Sequence, residues 1–183
     1  MRELKHHEKI LLKKTNFYDW DSTNNLREVK LLRRYYVQNR KDLKVYNKMV
    51  GQMRKIIIKL KNLKEDDSFR IKQTKILMNK LYDMGVISYK TNLKDIEDKV
   101  GIAAFCRRRL ANVMFANKYC ESVKEAVTFI EQSQVKVGTN IINNPGFIVT
   151  RYLQDHITWA DGSKIKRKLD EYKGEVDDYD NNC

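Results

Sequence analysis

The sequence predicts an α+β protein in which a basic helical region at residues 1–101 precedes a small unit of two helices and an antiparallel sheet at residues 102–160. Apolar residues recur at helical spacing in the first region, and the spacing changes to alternation near Val135. One proline and seven glycines in 183 residues are few for an all-β chain, which needs many turns. Residues 161–183 mix basic and acidic side chains and are expected to form a loose tail.

Composition argues against several classes of protein. The mean hydropathy is −0.67, and apolar runs of only a few residues predict no membrane span. The first residues lack the apolar stretch of a signal peptide, and Glu3 and Glu8 argue against an organellar transit peptide. Cys106, Cys120 and Cys183 have no paired spacing, which favours reduced thiols inside a cell over a disulfide scaffold.

Positive charge is concentrated in the first third of the chain. The 37 Lys and Arg exceed the 24 Asp and Glu by 13, and residues 1–61 alone hold 17 basic and 6 acidic side chains. So uneven a field attracts a polyanion such as RNA. A solvated helical surface is the plain alternative. An anionic membrane is a weaker one, because a membrane-lying helix would carry a broad aromatic and leucine face.

Five helices are predicted in the N-terminal region. They cover about residues 4–12, 25–36, 42–61, 68–84 and 92–100. Asp42 is expected to cap the third, Asp66 and Asp67 precede the fourth, and Gly85 ends the fourth. The apolar side of the third helix is expected to comprise Val45, Met49, Met53, Ile56, Ile57 and Leu60. An aromatic cluster expected to anchor packing follows the first helix: Phe17, Tyr18 and Trp20.

The second unit begins with two predicted helices. One carries a single apolar stripe of Ala103, Cys106, Leu110, Val113 and Met114. Ser122 caps the other, with Glu125 at the reciprocal position of a capping box. Strands are then expected at residues 135–137, 141–142, 147–150 and 157–159, with a turn at Asn144-Pro145-Gly146.

No constellation for catalysis is found. Glycine-rich phosphate-binding loops and paired zinc-ligand spacings do not occur. His6 and His7 are adjacent and cannot share a metal, His156 has no recognisable nucleophile, and Cys106 is more simply a core residue. The sequence therefore predicts a non-enzyme without cofactor, metal or small-molecule substrate.

Three consecutive arginines are the first candidates for binding RNA. Arg107, Arg108 and Arg109 would fan over roughly 200° of one helix, at about 100° per residue. Because the stripe through Cys106 and Leu110 faces the core, Arg108 is expected to point away from it, flanked by the other two. Guanidinium groups suit phosphate contact and base stacking. A solvated helix face is the alternative.

Further candidates lie on the following helix and hairpin. Lys118 and Lys124 are close to the start of the Ser122 helix, whose free backbone N–H groups are expected to bind an anion. Polar residues of the strand and hairpin are expected on the same face: Gln134, Lys136, Thr139 and Asn140. Such a surface would recognise RNA by shape and backbone more than by sequence.

Four motifs carry a family resemblance. R-R-R-L at 107–110, S-V-K-E-A-V-x-F-I-E at 122–131, Q-V-K-V-G at 134–138 and N-P-x-F-I-V at 144–149 resemble the RNA-binding domain named for ribosomal small-subunit protein four. Many members have arginine where Val123 stands here, so backbone contact near Ser122 is expected to depend on Lys124 or Lys118.

Motifs along the rest of the chain narrow the resemblance. L-K-H-H-E-K at 4–9, Y-x-x-Q-N-R at 35–40, K-L-Y-D-M-G-V at 80–86 and S-K-I-K at 163–166 are similar to Imp-type proteins of the U3 small nucleolar ribonucleoprotein. The resemblance implies a nuclear, nucleolar protein of the small-subunit processome. It would bind U3 small nucleolar RNA, pre-ribosomal RNA and an acidic M-phase phosphoprotein scaffold, and promote pairing of the two RNAs. The alternatives are a small-subunit ribosomal protein and an adaptor that binds an acidic protein.

Overall fold

The computed structural model describes residues 2–14, 22–90 and 92–174 and has the predicted α+β architecture. The helices of these residues are α1 (His6–Lys14), α2 (Ser22–Arg34), α3 (Arg40–Lys61), α4 (Ser68–Asp83), α5 (Leu93–Lys99), α6 (Ile102–Arg107), α7 (Leu110–Ala116), α8 (Val123–Glu131), α9 (Arg151–Gln154) and α10 (Lys164–Lys173). The strands are β1 (Val135–Val137), β2 (Asn140–Ile141) and β3 (Ile157–Trp159). The predicted cluster of Phe17, Tyr18 and Trp20 lies outside the described residues.

Helices α2, α4, α5 and α6 pack around α3, which is 22 residues long. Its buried row is Leu43, Tyr46, Val50, Met53, Ile57 and Leu60. The apolar side predicted for this helix was wrong at two positions, because Val45 and Ile56 are 53% and 47% exposed. Both belong to a second apolar row next to the buried one, and helical period alone does not decide which row faces the core.

Local capping signals set several helix ends. Asp67 caps α4, its Oδ1 accepting from the N–H of Phe69 at 2.9 Å, as its position predicts. Asp42 is not the cap of α3; Asn39 occupies that position, and Asp42 lies within the first turn. Gly85 follows α4 with φ of +71°, so the predicted stop is confirmed.

The first helix of the second unit is broken in two. α6 ends at Arg107, Arg108 is its C-cap, and Arg109 is the N-cap of α7. The single helix predicted through this stretch was therefore wrong, although its apolar residues are buried except Ala103, which is half-buried. The capping box of α8 is confirmed, with Ser122 Oγ accepting from the N–H of Glu125 at 3.2 Å.

The sheet has three antiparallel strands in the order β2-β1-β3. The strand expected at residues 147–150 does not form, and an isolated bridge joins Arg109 to Ile148 instead. Its backbone pairs with the α6–α7 turn: Leu110 N–H donates to Phe147 O and Val149 N–H to Arg108 O, each at 2.8 Å. Residues 147–149 therefore pair with the break between α6 and α7 and not with the sheet.

Two hydrophobic clusters fill the interior of the described chain. One joins α3 to the buried faces of α4, α5 and α6. The other lies between α7, α8 and the sheet, where Trp159 makes edge contacts with Tyr119 and Phe129. Burial of these side chains away from water is the main favourable contribution to the folding free energy of both units.

The stretch that follows the sheet is helical, so the expectation of a loose tail was wrong for α10. Ser163 caps this helix, its Oγ accepting from the N–H of Ile165 at 3.2 Å, and Gly174 ends it with φ of +71°. These are the usual start and stop signals of a helix and could have been recognised in the sequence. Residues 175–183 lie outside the described chain.

Alanine substitutions at two glycines should change the free energy of unfolding in opposite directions. A Cβ at Gly85 would lie 2.7 Å from Cζ of Arg108, at a positive φ that L-residues rarely adopt. Gly85→Ala should therefore lower the free energy of unfolding by about 1–2 kcal/mol. Gly51→Ala, inside α3 with no atom near its Cβ, should raise it by about 0.5–1 kcal/mol. Urea denaturation measures both, and a Gly85→Ala protein as stable as wild type would contradict the geometry.

Candidate nucleic-acid interface

Arg109 is buried rather than exposed. The residue is 2% accessible, and its Nη1 donates to Asp42 Oδ2 at 2.9 Å and to Tyr46 Oη at 3.0 Å. The prediction that it flanks an exposed arginine ridge was wrong, because the break between α6 and α7 turns its side chain toward α3. Arg109 joins the two units and cannot reach RNA from this position.

Arg108 is also occupied by the fold. Its Nε and Nη2 donate to the Val149 carbonyl at 2.9 and 2.7 Å, and its Nη1 donates to Gln154 Oε1 at 2.9 Å. Burial and then the charge of Arg151 lower the pKa of its guanidinium. Arg108 was expected to point away from the apolar stripe and to be free for RNA, and the second part of this expectation was wrong, since its guanidinium lies against Gly85 and residues around α9.

Arg107 is the arginine of the three that remains exposed. Its guanidinium has no ion pair within the described chain. It lines a cleft of about 140 Å³ together with Tyr89 and Asp95. Arg107 precedes α7 and Lys118 follows it, so a helix of roughly 10 Å separates these two predicted RNA contacts.

Lys118 and Lys124 flank the turn between α7 and α8, and both are exposed. The capping box occupies part of the anion site expected at the start of α8. Glu125 Oε2 accepts from the N–H groups of Ser122 and Glu121 at 3.2 and 3.1 Å. The capping box that the sequence also predicts therefore uses some of the N–H groups expected to bind an anion, including that of Glu125. An anion site at the start of α8, beside the two lysines, stays a prediction.

The four residues predicted on the strand and hairpin fall into two groups, one that binds other residues of the protein and one that stays exposed. Lys136 Nζ binds both carboxylate oxygens of Asp161, at 2.8 and 2.7 Å, and Gln134 Oε1 accepts from Ser163 Oγ at 2.5 Å. These side chains hold the start of α10. Hydrogen bonds from Lys136 and then Lys166 lower the pKa of Asp161 to about 2. Thr139 and Asn140, at the hairpin turn, stay exposed.

A row of lysines runs along the outer side of α3. This lysine face, which sequence reasoning did not single out, consists of Lys41, Lys44, Lys48, Lys55 and Lys59. At about 100° per residue these positions fall within an arc of roughly 60°, opposite the buried row of the helix. Their spacing of three, four and seven residues was the signal in the sequence that could have revealed them.

The lysine face lacks compensating carboxylates. At the ends of α3, Arg40 pairs with Glu28 and Lys61 pairs with Glu97. The only acidic residue of the helix is Asp42, which binds Arg109. The five lysines have no ion pair within the described residues. Like charges three or four residues apart repel, so a bound polyanion would relieve that repulsion.

A groove of about 580 Å³ lies between α4 and α5. Apolar side chains of Ile71, Met78 and Leu93 line it, with Lys75, Lys90 and Lys94 among the cations around them. Thr74 also lines the groove, and its Oγ1 is buried without a hydrogen-bond partner in the described structure. The groove thus combines apolar area with positive charge.

Cysteine and metal chemistry are the remaining candidates within residues 2–14, 22–90 and 92–174. Cys106 is fully buried, as predicted for a core residue, and burial raises the pKa of its thiol to about 11. No group of three or more His, Cys, Asp or Glu in these ranges could hold a metal ion. None of the helices described is both long and apolar enough to span a bilayer.

Comparison with known proteins accounts for both units. Residues 3–107 match the Ribosomal protein S4/S9 N-terminal domain, and residues 108–154 match the S4 domain. The U3 small nucleolar ribonucleoprotein protein IMP3 of Saccharomyces cerevisiae is 44% identical over 180 residues, and that of Homo sapiens is 40% identical over 181. Each alignment covers 98% of both chains. Small ribosomal subunit protein uS4 of Picrophilus torridus is 24% identical over 147 residues, 80% of each chain.

Helices packed on a small S4 domain place the chain in the S4 class of RNA-binding proteins. Within this class, the similarity to IMP3 proteins over 98% of the chain identifies the family. The chain belongs to the IMP3 family of U3 small nucleolar ribonucleoprotein proteins.

The contact between Arg109 and Asp42 predicts a large effect of one substitution. Asp42→Ala leaves the buried guanidinium without a carboxylate and should lower the free energy of unfolding by about 3 kcal/mol. That value is at the low end for a broken buried pair, because the Asp42 side chain is one-third exposed. Asp66→Ala, at an exposed position, is the control and should change it by less than about 0.5 kcal/mol. Equal denaturation midpoints for the two variants would contradict the structural role of the pair.

Proposed function

We propose that this protein is a non-enzymatic RNA-binding component of a U3 small nucleolar ribonucleoprotein, acting in ribosome biogenesis in the nucleolus. Membership of the IMP3 family over 98% of the chain carries this proposal. The similarity to uS4 is weaker in identity and shorter in coverage, which disfavours the alternative of a resident ribosomal protein. In this role the protein binds U3 small nucleolar RNA within the small-subunit processome and promotes its pairing with pre-ribosomal RNA.

The mechanism we infer is electrostatic. Two RNA strands repel each other through their phosphates, and cations held between or beside them reduce that repulsion. The exposed cations of the second unit, Arg107, Lys118 and Lys124, are one set of phosphate contacts, with Thr139 and Asn140 as neutral partners. The lysine face of α3 is another. Both belong to units joined by the Arg109–Asp42 contact, so both can hold RNA in a fixed relation.

Salt dependence tests these surfaces. Arg107→Gln with Lys118→Gln and Lys124→Gln should lower the slope of log affinity against log salt by roughly 2 for single-stranded RNA, about 0.7 per lost phosphate contact. Lys44→Gln with Lys48→Gln and Lys55→Gln on the lysine face should do the same. Fluorescence anisotropy with labelled U3 RNA measures the slopes.

The matched control removes the same charge elsewhere. Lys64, Lys72 and Lys80 are exposed and have no ion pair within the described chain. Their combined replacement by Gln should leave the slope within about half a unit of wild type, because general attraction falls off over a Debye length. Equal slopes for all three triple variants would argue against both surfaces, and no RNA binding by the wild type would refute the proposed function.

We also infer a protein partner, an acidic M-phase phosphoprotein scaffold, at the groove between α4 and α5. Its apolar lining and surrounding lysines suit an acidic segment with apolar side chains on one face. A phosphate backbone would not use the apolar lining. The groove and the lysine face are therefore assigned to different partners.

A charge-reversal variant tests whether the groove binds the protein scaffold and not RNA. Ile71→Glu with Lys94→Glu should weaken capture of the purified scaffold at least tenfold, since it removes an apolar contact and repels acidic residues. Its effect on RNA affinity should not exceed that of Ile76→Glu with Lys72→Glu, an exposed pair of α4 that lies outside both the groove and the lysine face. Scaffold capture unchanged by the groove variant would exclude this site.

A further inference from the structure

Helix α9 is short but firmly held. Arg151 donates from Nε to the Tyr82 carbonyl at 2.8 Å and from Nη2 to the carbonyls of Ile87 and Ser88 at 2.6 and 2.9 Å. Its guanidinium also lies 4.0 Å from the centre of the Tyr82 ring. From the other side, Arg108 binds Gln154. Two arginines thus fix a four-residue helix that has no buried residue of its own.

This fixed helix presents a tyrosine to solvent. Tyr152 is 77% exposed, and its ring lies 4.9 Å from the His156 ring, centre to centre, at 57°. His156 is exposed as well. The histidine packs against the tyrosine and leaves most of the tyrosine open to solvent. An exposed ring on a rigid support loses little conformational entropy when it binds a flat ligand.

The aromatic pair adjoins the hairpin already proposed to contact RNA. The Gly138 N–H donates to the His156 carbonyl at 2.9 Å, which places the turn before Thr139 and Asn140 next to the end of α9. The proposed contacts of Thr139 and Asn140 are therefore close to the two rings.

We propose that Tyr152, supported by His156, is a stacking platform for an unpaired base of single-stranded RNA. This inference rests on the proposed RNA-binding function and specifies the state of the RNA that the protein holds. Aromatic rings stack on any base, whereas bases in a duplex are covered by their neighbours. A protein that brings two RNAs together must first hold segments that are unpaired, and the platform supplies a contact that exists only in that state.

The surroundings of Tyr152 favour a base over an apolar protein anchor. The neighbouring side chains of its helix and cap that reach the surface are polar or charged: Arg151, Gln154 and Asp155. A protein anchor is usually surrounded by further apolar contacts that exclude water. Leu153, the remaining apolar residue of α9, packs inward against the second hydrophobic cluster.

Substitution of the ring tests the platform in the full-length protein. The probes are a single-stranded oligoadenylate of about twelve nucleotides and a duplex of the same length. Tyr152→Ala should weaken binding of the single strand roughly tenfold, leave the duplex affinity unchanged, and leave the salt slope unchanged because no phosphate contact is lost. Tyr152→Phe keeps the ring and should retain wild-type affinity.

Tyr172→Ala is the matched control. Tyr172 is a 93% exposed tyrosine on α10 without a ring contact in the described residues, and its removal should change neither affinity. Thermal unfolding of each variant checks that the fold is intact.

Each other outcome overturns the inference. Equal binding of the single strand by wild type and Tyr152→Ala would overturn the platform while the proposed function stands. Equal losses for single strand and duplex would indicate a different contact, and a Tyr152→Phe protein as weak as Tyr152→Ala would assign the effect to the hydroxyl. Loss of scaffold capture with unchanged RNA binding would make the ring a protein contact. A wild-type protein that binds U3 RNA but neither oligonucleotide would overturn the platform alone, whereas a wild-type protein that binds no RNA at all would refute the proposed function.

Discussion

The buried guanidinium of Arg109 is the contact on which the arrangement of the two units depends. A buried cation is tolerated only where a carboxylate and hydrogen-bond acceptors meet it, and here Asp42 and Tyr46 of α3 do so. Arg109 is the N-cap of α7 and therefore lies at the break between α6 and α7. The backbone on either side of the break then pairs with residues 147–149. One polar contact therefore positions the S4 domain against the helical region and fixes the turn that leads to the sheet.

Basic residues of this protein serve two distinct purposes. Arg108, Arg109 and Arg151 point inward and saturate carbonyls and a carboxylate, as planar groups with five donors can. The lysine face and Lys118 remain in water, where a flexible ammonium is well solvated and can meet a phosphate. Net charge indicates a polyanion as partner, but it does not distinguish basic residues that stabilise the fold from those that are free to bind a phosphate. Surface cations without a carboxylate partner are the more specific sign of where that partner binds.

In the proposed function, phosphate contacts and base stacking have different roles. Phosphate contacts hold any RNA strand, paired or not, and weaken as salt rises. An exposed ring holds unpaired bases and is insensitive to salt in comparison. A chain with both can retain a strand before it pairs and release the base contact when pairing buries the base. The apolar groove of α4 and α5 leaves a separate surface for a protein partner.

Local sequence patterns were enough to predict the fold class, most of the helices, the caps at Asp67 and Ser122 and the stop at Gly85, because these features depend on side chains within a few residues of one another. The motifs also sufficed for the family. Tertiary structure decided the orientation of Arg108 and Arg109, the phase of α3 and the loss of the fourth strand. Arg109 and Asp42 are 67 residues apart, and no local period indicates that they meet. The predicted site changed for that reason: where a long side chain points depends on which distant group can satisfy it.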